Sequence, residues 1–124
     1  MLKVLILYTE THTVEAGVPL AAGMLPDYFD YEFIHLESTN ELSRDQIIGS
    51  DLVLFLSYPG SEKLRKEVTG LCRRLYTPVT VMGENLAPDD TADYTVLLRD
   101  GKAFRDFITD FRAGHAAPVY PPGI

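Results

Sequence analysis

A three-layer α/β/α sandwich around a five-stranded parallel sheet is what this chain predicts, and three observations carry the prediction. Five short strand-like runs recur along its 124 residues. Segments with helical spacing or helix-capping residues lie between them. Two of the runs are continuously apolar, as strands covered on both faces by helices must be. Strands alternating with helices imply parallel pairing. Right-handed crossovers then leave 2-1-3-4-5 as the natural strand order.

The elements follow in order. KVLILY, residues 3–8, is a nearly unbroken apolar run and makes the first strand. A first helix falls within residues 13–25, where Gly17, Pro19 and Gly23 interrupt it, so it is short or begins at Pro19. YEFIHL, residues 31–36, sets Phe33 and His35 against Glu32, Ile34 and Leu36, an alternation that suits a more peripheral strand. SRDQIIGS, residues 43–50, is a short helix capped by Ser43 and ended by Gly49. DLVLFLS, residues 51–57, is the second solid apolar run.

The strongest helix is SEKLRKEVTGLCRRL, residues 61–75. Ser61 can cap it, Glu62 suits its positive end, and Leu64, Val68, Leu71, Cys72 and Leu75 form one buried stripe. PVTVMG, residues 78–83, opens on a proline, tolerated at a strand's first position, and closes on a glycine. DYTVLL, residues 93–98, is the fifth strand. In GKAFRDFITDFRAG, residues 101–114, Phe104, Phe107, Ile108 and Phe111 share one face and Gly114 is the stop. Residues 1–114 thus read as a single domain. Residues 115–124 read as an irregular tail whose three prolines favour extended chain.

Composition narrows the partners. A net charge of −7 argues against a polyanionic partner such as nucleic acid, whose binders carry a basic stripe. The densest basic group, KLRK at 63–66 with Arg73 and Arg74, reads as a solvated helix face. No apolar stretch approaches the roughly 20 residues of a membrane helix, and residues 1–9 lack the marks of a signal peptide. The single cysteine suits a reducing compartment, so a cytoplasmic protein is expected.

In an open parallel sheet, ligands bind beyond the carboxyl ends of the strands, where connections change side. Three loops meet that description: TETHT at 9–13, SYPGS at 57–61, and residues 83–92, which begin GENLAPDD. The first is rich in hydroxyls and leads toward a helix N-terminus, where free N–H groups attract anions. The second follows an aromatic with a forced turn. The third is polar and acidic.

In order and spacing, the hydroxyl-rich loop, DLVLFLSYPG, VMGEN and RDGKAFRDFITDF resemble the flavodoxin family over roughly residues 2–114. The family's first loop, Ser/Thr-x-Thr-Gly-Asn-Thr, wraps the phosphate of flavin mononucleotide (FMN); here the Gly-Asn is missing and His12 stands in the loop. The resemblance implies a flavodoxin-like fold, FMN as cofactor and electron transfer. By position, it makes Thr9, Thr11 and Thr13 the phosphate hydroxyls, with His12 beside them and Tyr58 as the stacking aromatic between Ser57 and Gly60. Gly83, Glu84 and Asn85 become the third loop's wall. The acidic surplus would steer a basic redox partner.

Bland readings stand beside these. His12 is either a phosphate donor or a surface-loop histidine, and Tyr58 either stacks on a planar ring or covers the end of the sheet. His35 is structural and Cys72 a packed thiol. Glu84, Asp89, Asp90 and Asp93 make a solvated loop rather than a metal site. A receiver domain needs acids after strands one and three and a lysine ending strand five; Tyr8-Thr9-Glu10, Ser57 and Arg99 stand there. A dinucleotide fold needs a glycine-rich turn after the first strand, and residues 1–16 contain no glycine. Two further readings are a non-catalytic interaction module of the same fold with a degraded site, and a lone domain like the N-terminal half of a glycosyltransferase.

Overall fold

In the computed structural model of the protein, residues 2–8, 29–57, 60–83, 91–97 and 101–120 are described. The expected first helix within 13–25 lies outside them. Strand β1 (Leu2–Tyr8) is followed by β2 (Phe29–His35), a single 3-10 turn (Thr39–Glu41), α1 (Arg44–Ile48), β3 (Leu52–Leu56) and α2 (Glu62–Arg74). Then come β4 (Val79–Gly83), β5 (Tyr94–Leu97), α3 (Gly101–Ala113) and β6 (Val119–Tyr120). The six strands form one sheet of order β2-β1-β3-β4-β5-β6, with every pair parallel.

The period-two alternation of the strands builds two cores, one on each face. Val4, Ile6, Leu54 and Met82 meet Phe104, Phe107 and Ile108 of α3 on one side. Leu5, Leu7, Val53 and Phe55 meet Ile47 of α1 and Val68 and Cys72 of α2 on the other. Both faces are covered, so all five residues of β3 and all five of β4 are buried. That is why their sequences read as unbroken runs. β2 borders the sheet on the side of β1, and most of its residues with described side chains are exposed, as its alternating pattern implied.

Helix ends obey local rules in one case and depart from them in another. Ser43 Oγ accepts the Gln46 N–H at 3.0 Å while Gln46 Oε1 accepts the Ser43 N–H at 2.9 Å, a reciprocal capping box. Ser61 occupies the N-cap of α2 as expected but makes no side-chain cap bond there.

The sheet has six strands where five were expected. The additional strand, Val119–Tyr120, comes from the segment read as an irregular tail, and it pairs with Thr95 and Val96 of β5. Its cause is tertiary. The Thr95 N–H donates to Pro118 O at 2.8 Å, and Tyr120, 1% exposed, packs edge-on against Phe107 with ring centroids 5.5 Å apart.

Candidate functional site

Because β1 lies between β2 and β3, the connections from its neighbourhood diverge there, and this is the switch point of the sheet. Parallel pairing brings the carboxyl ends of β1, β3 and β4 to one rim. Leu7 is level with Phe55, Leu56 with Met82, and Gly83 with Leu97. The Ser57 N–H donates to Met82 O at 2.6 Å, which fixes the start of the second loop against β4.

Of the ten residues assigned to the site from the sequence, three are described. Ser57 is half-buried one residue past β3, Gly60 is exposed just before α2, and Gly83 is buried as the last residue of β4. All three belong to the same rim. Thr9, Thr11, His12, Thr13, Tyr58, Glu84 and Asn85 lie outside the described residues.

Gly60 has φ +96°, a conformation that only glycine adopts without strain, and among the described residues nothing lies within 4 Å of where a Cβ would be. The Gly60 backbone is therefore open on the side where a Cβ would stand. The Gly60 N–H donates to Glu62 Oε1 at 3.4 Å. Hydrogen bonds from Glu62's own backbone N–H and from that of Gly60 hold the Glu62 carboxyl below its ordinary range. An internal carboxylate thus serves as the anion at this helix N-terminus.

Other residues singled out from the sequence have definite surroundings. Cys72 is fully buried, and burial, followed by the negative charge of Asp93, pushes its thiol up to about 12. It is a packed thiol, as read from the stripe. Asp93, read as part of a solvated acidic loop, instead pins β4 to β5. Its Oδ2 accepts the Val79 N–H at 3.0 Å, and its own N–H donates to Val79 O at 3.0 Å. His35 ends β2 and stands edge-on to Tyr8, with ring centroids 5.4 Å apart.

Among the described residues no group of three or more His, Cys, Asp or Glu side chains is arranged to hold a metal ion. No described helix is long and apolar enough to cross a membrane. The sequence reading missed two features, one along α2 and one at its far end. The Thr69 and Thr91 hydroxyls share a hydrogen bond at 2.8 Å, tying the return of the third loop to α2. Tyr76, 95% exposed, has φ +58°. Neither has a local sequence signal, since threonine and tyrosine are common in any context.

The fold class is thus α/β with a parallel sheet and helices on both faces. No family model, no curated protein and no solved structure matches the chain.

Proposed function

We propose that the protein binds a phosphate-bearing planar ligand, FMN in the most concrete form, at the carboxyl rim of the sheet, and that it serves as an electron carrier. One observation supports this above the others: the strand order brings the ends of β1, β3 and β4 to one edge at the switch point. The open backbone at Gly60, with its positive φ, fits a flat ring lying close to the loop after β3.

In this reading Thr9, Thr11 and Thr13 donate hydroxyl hydrogen bonds to the phosphate, with His12 beside them. Tyr58 lies against the ring, and Gly83, Glu84 and Asn85 wall its far side. Bound FMN supplies the one- and two-electron chemistry. The chain holds the ring, excludes water from one face through Tyr58, and disfavours negative charge on the ring through its surplus of acids. Those acids also favour a basic protein as redox partner, within a reducing, cytoplasmic setting.

Titration of the purified chain with FMN tests the reading. Quenching of flavin fluorescence with a saturable, one-to-one endpoint is the expected result, weakened by Tyr58→Ala through loss of stacking and by Thr11→Ala through loss of a phosphate donor. Flavin fluorescence that stays unchanged up to high micromolar protein overturns the reading.

A further inference from the structure

The end of α2 carries an anomaly that the rim does not use. The Thr77 N–H donates to Cys72 O at 2.9 Å and the Tyr76 N–H to Arg73 O at 3.2 Å, the paired bonds of a Schellman ending. That ending requires a left-handed residue, which is usually glycine. The end of α3 has the same pair, from His115 N–H to Asp110 O and from Gly114 N–H to Phe111 O, and there the left-handed residue is Gly114 at φ +84°. At α2 it is Tyr76, strained at φ +58° and 95% exposed. A large ring is held in an unfavourable backbone conformation and buries almost nothing within its own chain.

Charged and apolar groups surround it. Arg73 and Arg74, both exposed, precede it on α2. Thr77 Oγ1 donates to Ile47 O at 3.2 Å, joining this turn to the end of α1, where Ile48 is 56% exposed. Past Ile48 lies a hollow of about 280 Å³ between α1 and the first residues of β1 and β2. Among the described residues, Asp30, Glu32 and Asp45 line it against one cation, Lys3. Leu5 is level with Glu32 and belongs to the core under α1 and α2, so hollow and aromatic knob share one face of the sheet. Both also lie where the strands begin, at the opposite end from the rim.

We infer that Tyr76, flanked by Arg73 and Arg74, inserts into the acidic hollow of a second copy of this chain, forming a two-fold dimer. A basic aromatic knob and an acidic hollow on the same face and at the same end satisfy the isologous condition. A two-fold axis between them seats each knob in the other copy's hollow, with the two Ile48 side chains near the axis. Tyrosine and arginine are the residue types that anchor interfaces. The overall charge of −7 disfavours an extended polyanion here, whereas a local set of carboxylates on a copy suits the exposed Arg74 guanidinium beside the knob. The contact leaves the rim free, so it is independent of what the rim binds.

Sedimentation equilibrium of the full chain, from micromolar to millimolar and at two salt concentrations, tests this. The expected result is a concentration-dependent dimer that tightens as salt falls. Tyr76→Gly should raise the dimer Kd by at least about tenfold, as loss of a central aromatic anchor does. Its melting temperature, followed at micromolar concentration where the monomer prevails, should not fall. Arg74→Glu and Glu32→Lys should each weaken the dimer, and the chain carrying both should regain affinity, because the exchanged charges then meet across the interface. Three outcomes overturn the inference: a monomer throughout, a mass climbing beyond the dimer, or a dimer whose Kd Tyr76→Gly leaves unchanged.

Discussion

The Tyr120 hydroxyl donates to Asp110 Oδ2 at 2.6 Å and accepts the Ala117 N–H at 2.9 Å, so one side chain ties the last strand to α3 and closes its own approach turn. Ring and hydroxyl act together. The ring fills the core beside Phe107, and the hydroxyl satisfies two groups that the turn would otherwise leave to solvent.

Tyr120→Phe keeps the ring and removes both bonds. A hydrogen bond to a charged acceptor contributes roughly 1.5–3 kcal/mol, and water can replace part of it at half-buried Asp110. The expected loss is therefore about 1–2 kcal/mol in denaturant unfolding. Amide exchange should quicken first at Thr95, whose N–H bonds to Pro118 O. Unchanged stability would mean that the ring alone holds β6 in place.

Alkaline pH should weaken the fold in a defined window. Burial, then the hydrogen bond to Asp110, raises the Tyr120 pKa; burial, then the charge of Asp93, raises that of Tyr94. A raised acid keeps its proton longer in the folded state than in the unfolded one. Its contribution is complete below the unfolded value, about 10 for tyrosine, and declines as pH rises through the folded value. Melting temperature measured from pH 8 to 11 should fall above about pH 10, and less steeply in Tyr120→Phe.

Cys72 should be chemically silent. With its pKa at about 12 against an ordinary 9.0, the thiolate fraction near neutrality is about a thousandfold below that of an unperturbed thiol. A thiol-reactive dye should not label the native protein and should label it at the rate of global unfolding once denaturant is added. Rapid labelling without denaturant would show that the stripe of α2 opens locally.

Thr80 presents the opposite situation from Tyr120. It is fully buried on β4, level with Leu54 and Tyr94, and its hydroxyl finds no hydrogen-bond partner among the described residues. An unsatisfied buried hydroxyl costs about 1–3 kcal/mol. Thr80→Val has nearly the same shape and should stabilise the fold by roughly 1 kcal/mol, read as a higher denaturation midpoint at constant m-value. A loss would reveal a polar role for that hydroxyl.

What could be read in the sequence follows from how local its cause is. LVLFL and VTVMG announce central strands because burial on both faces demands apolar residues at every position or nearly so. Ser43 and Gly49 mark α1 because capping is settled within a few residues. Val119–Tyr120 carries no such mark: two residues between prolines show no alternation, and their pairing depends on Phe107 and Asp110, which lie ten or more residues away. The rim was legible from topology alone, which brings Ser57, Gly60 and Gly83 to one edge. Asp93 was misread because an acid beside two others looks solvated until its partner, the Val79 N–H, is known.

The same dependence on context makes the two helix endings a matched pair for measurement. Gly114 and Tyr76 occupy equivalent left-handed positions with the same two backbone bonds, and no atom of the described residues lies within 4 Å of a Cβ built on Gly114. Sterics therefore contribute nothing at Gly114, and only the backbone preference is exchanged. Gly114→Ala should cost about 1 kcal/mol, because a residue with a Cβ pays for the left-handed conformation. Tyr76→Gly should return up to about 1 kcal/mol, partly offset by the greater freedom that glycine gives the unfolded chain. Unfolding must be followed at concentrations low enough to keep the chain monomeric, since any dimer contact made by Tyr76 would add stability that mass action removes on dilution. Opposite signs for the two substitutions would establish that Tyr76 is strained within its own chain. A destabilised Tyr76→Gly monomer would instead mean that the ring stabilises its own helix end, and the motive for seeking its partner elsewhere would vanish.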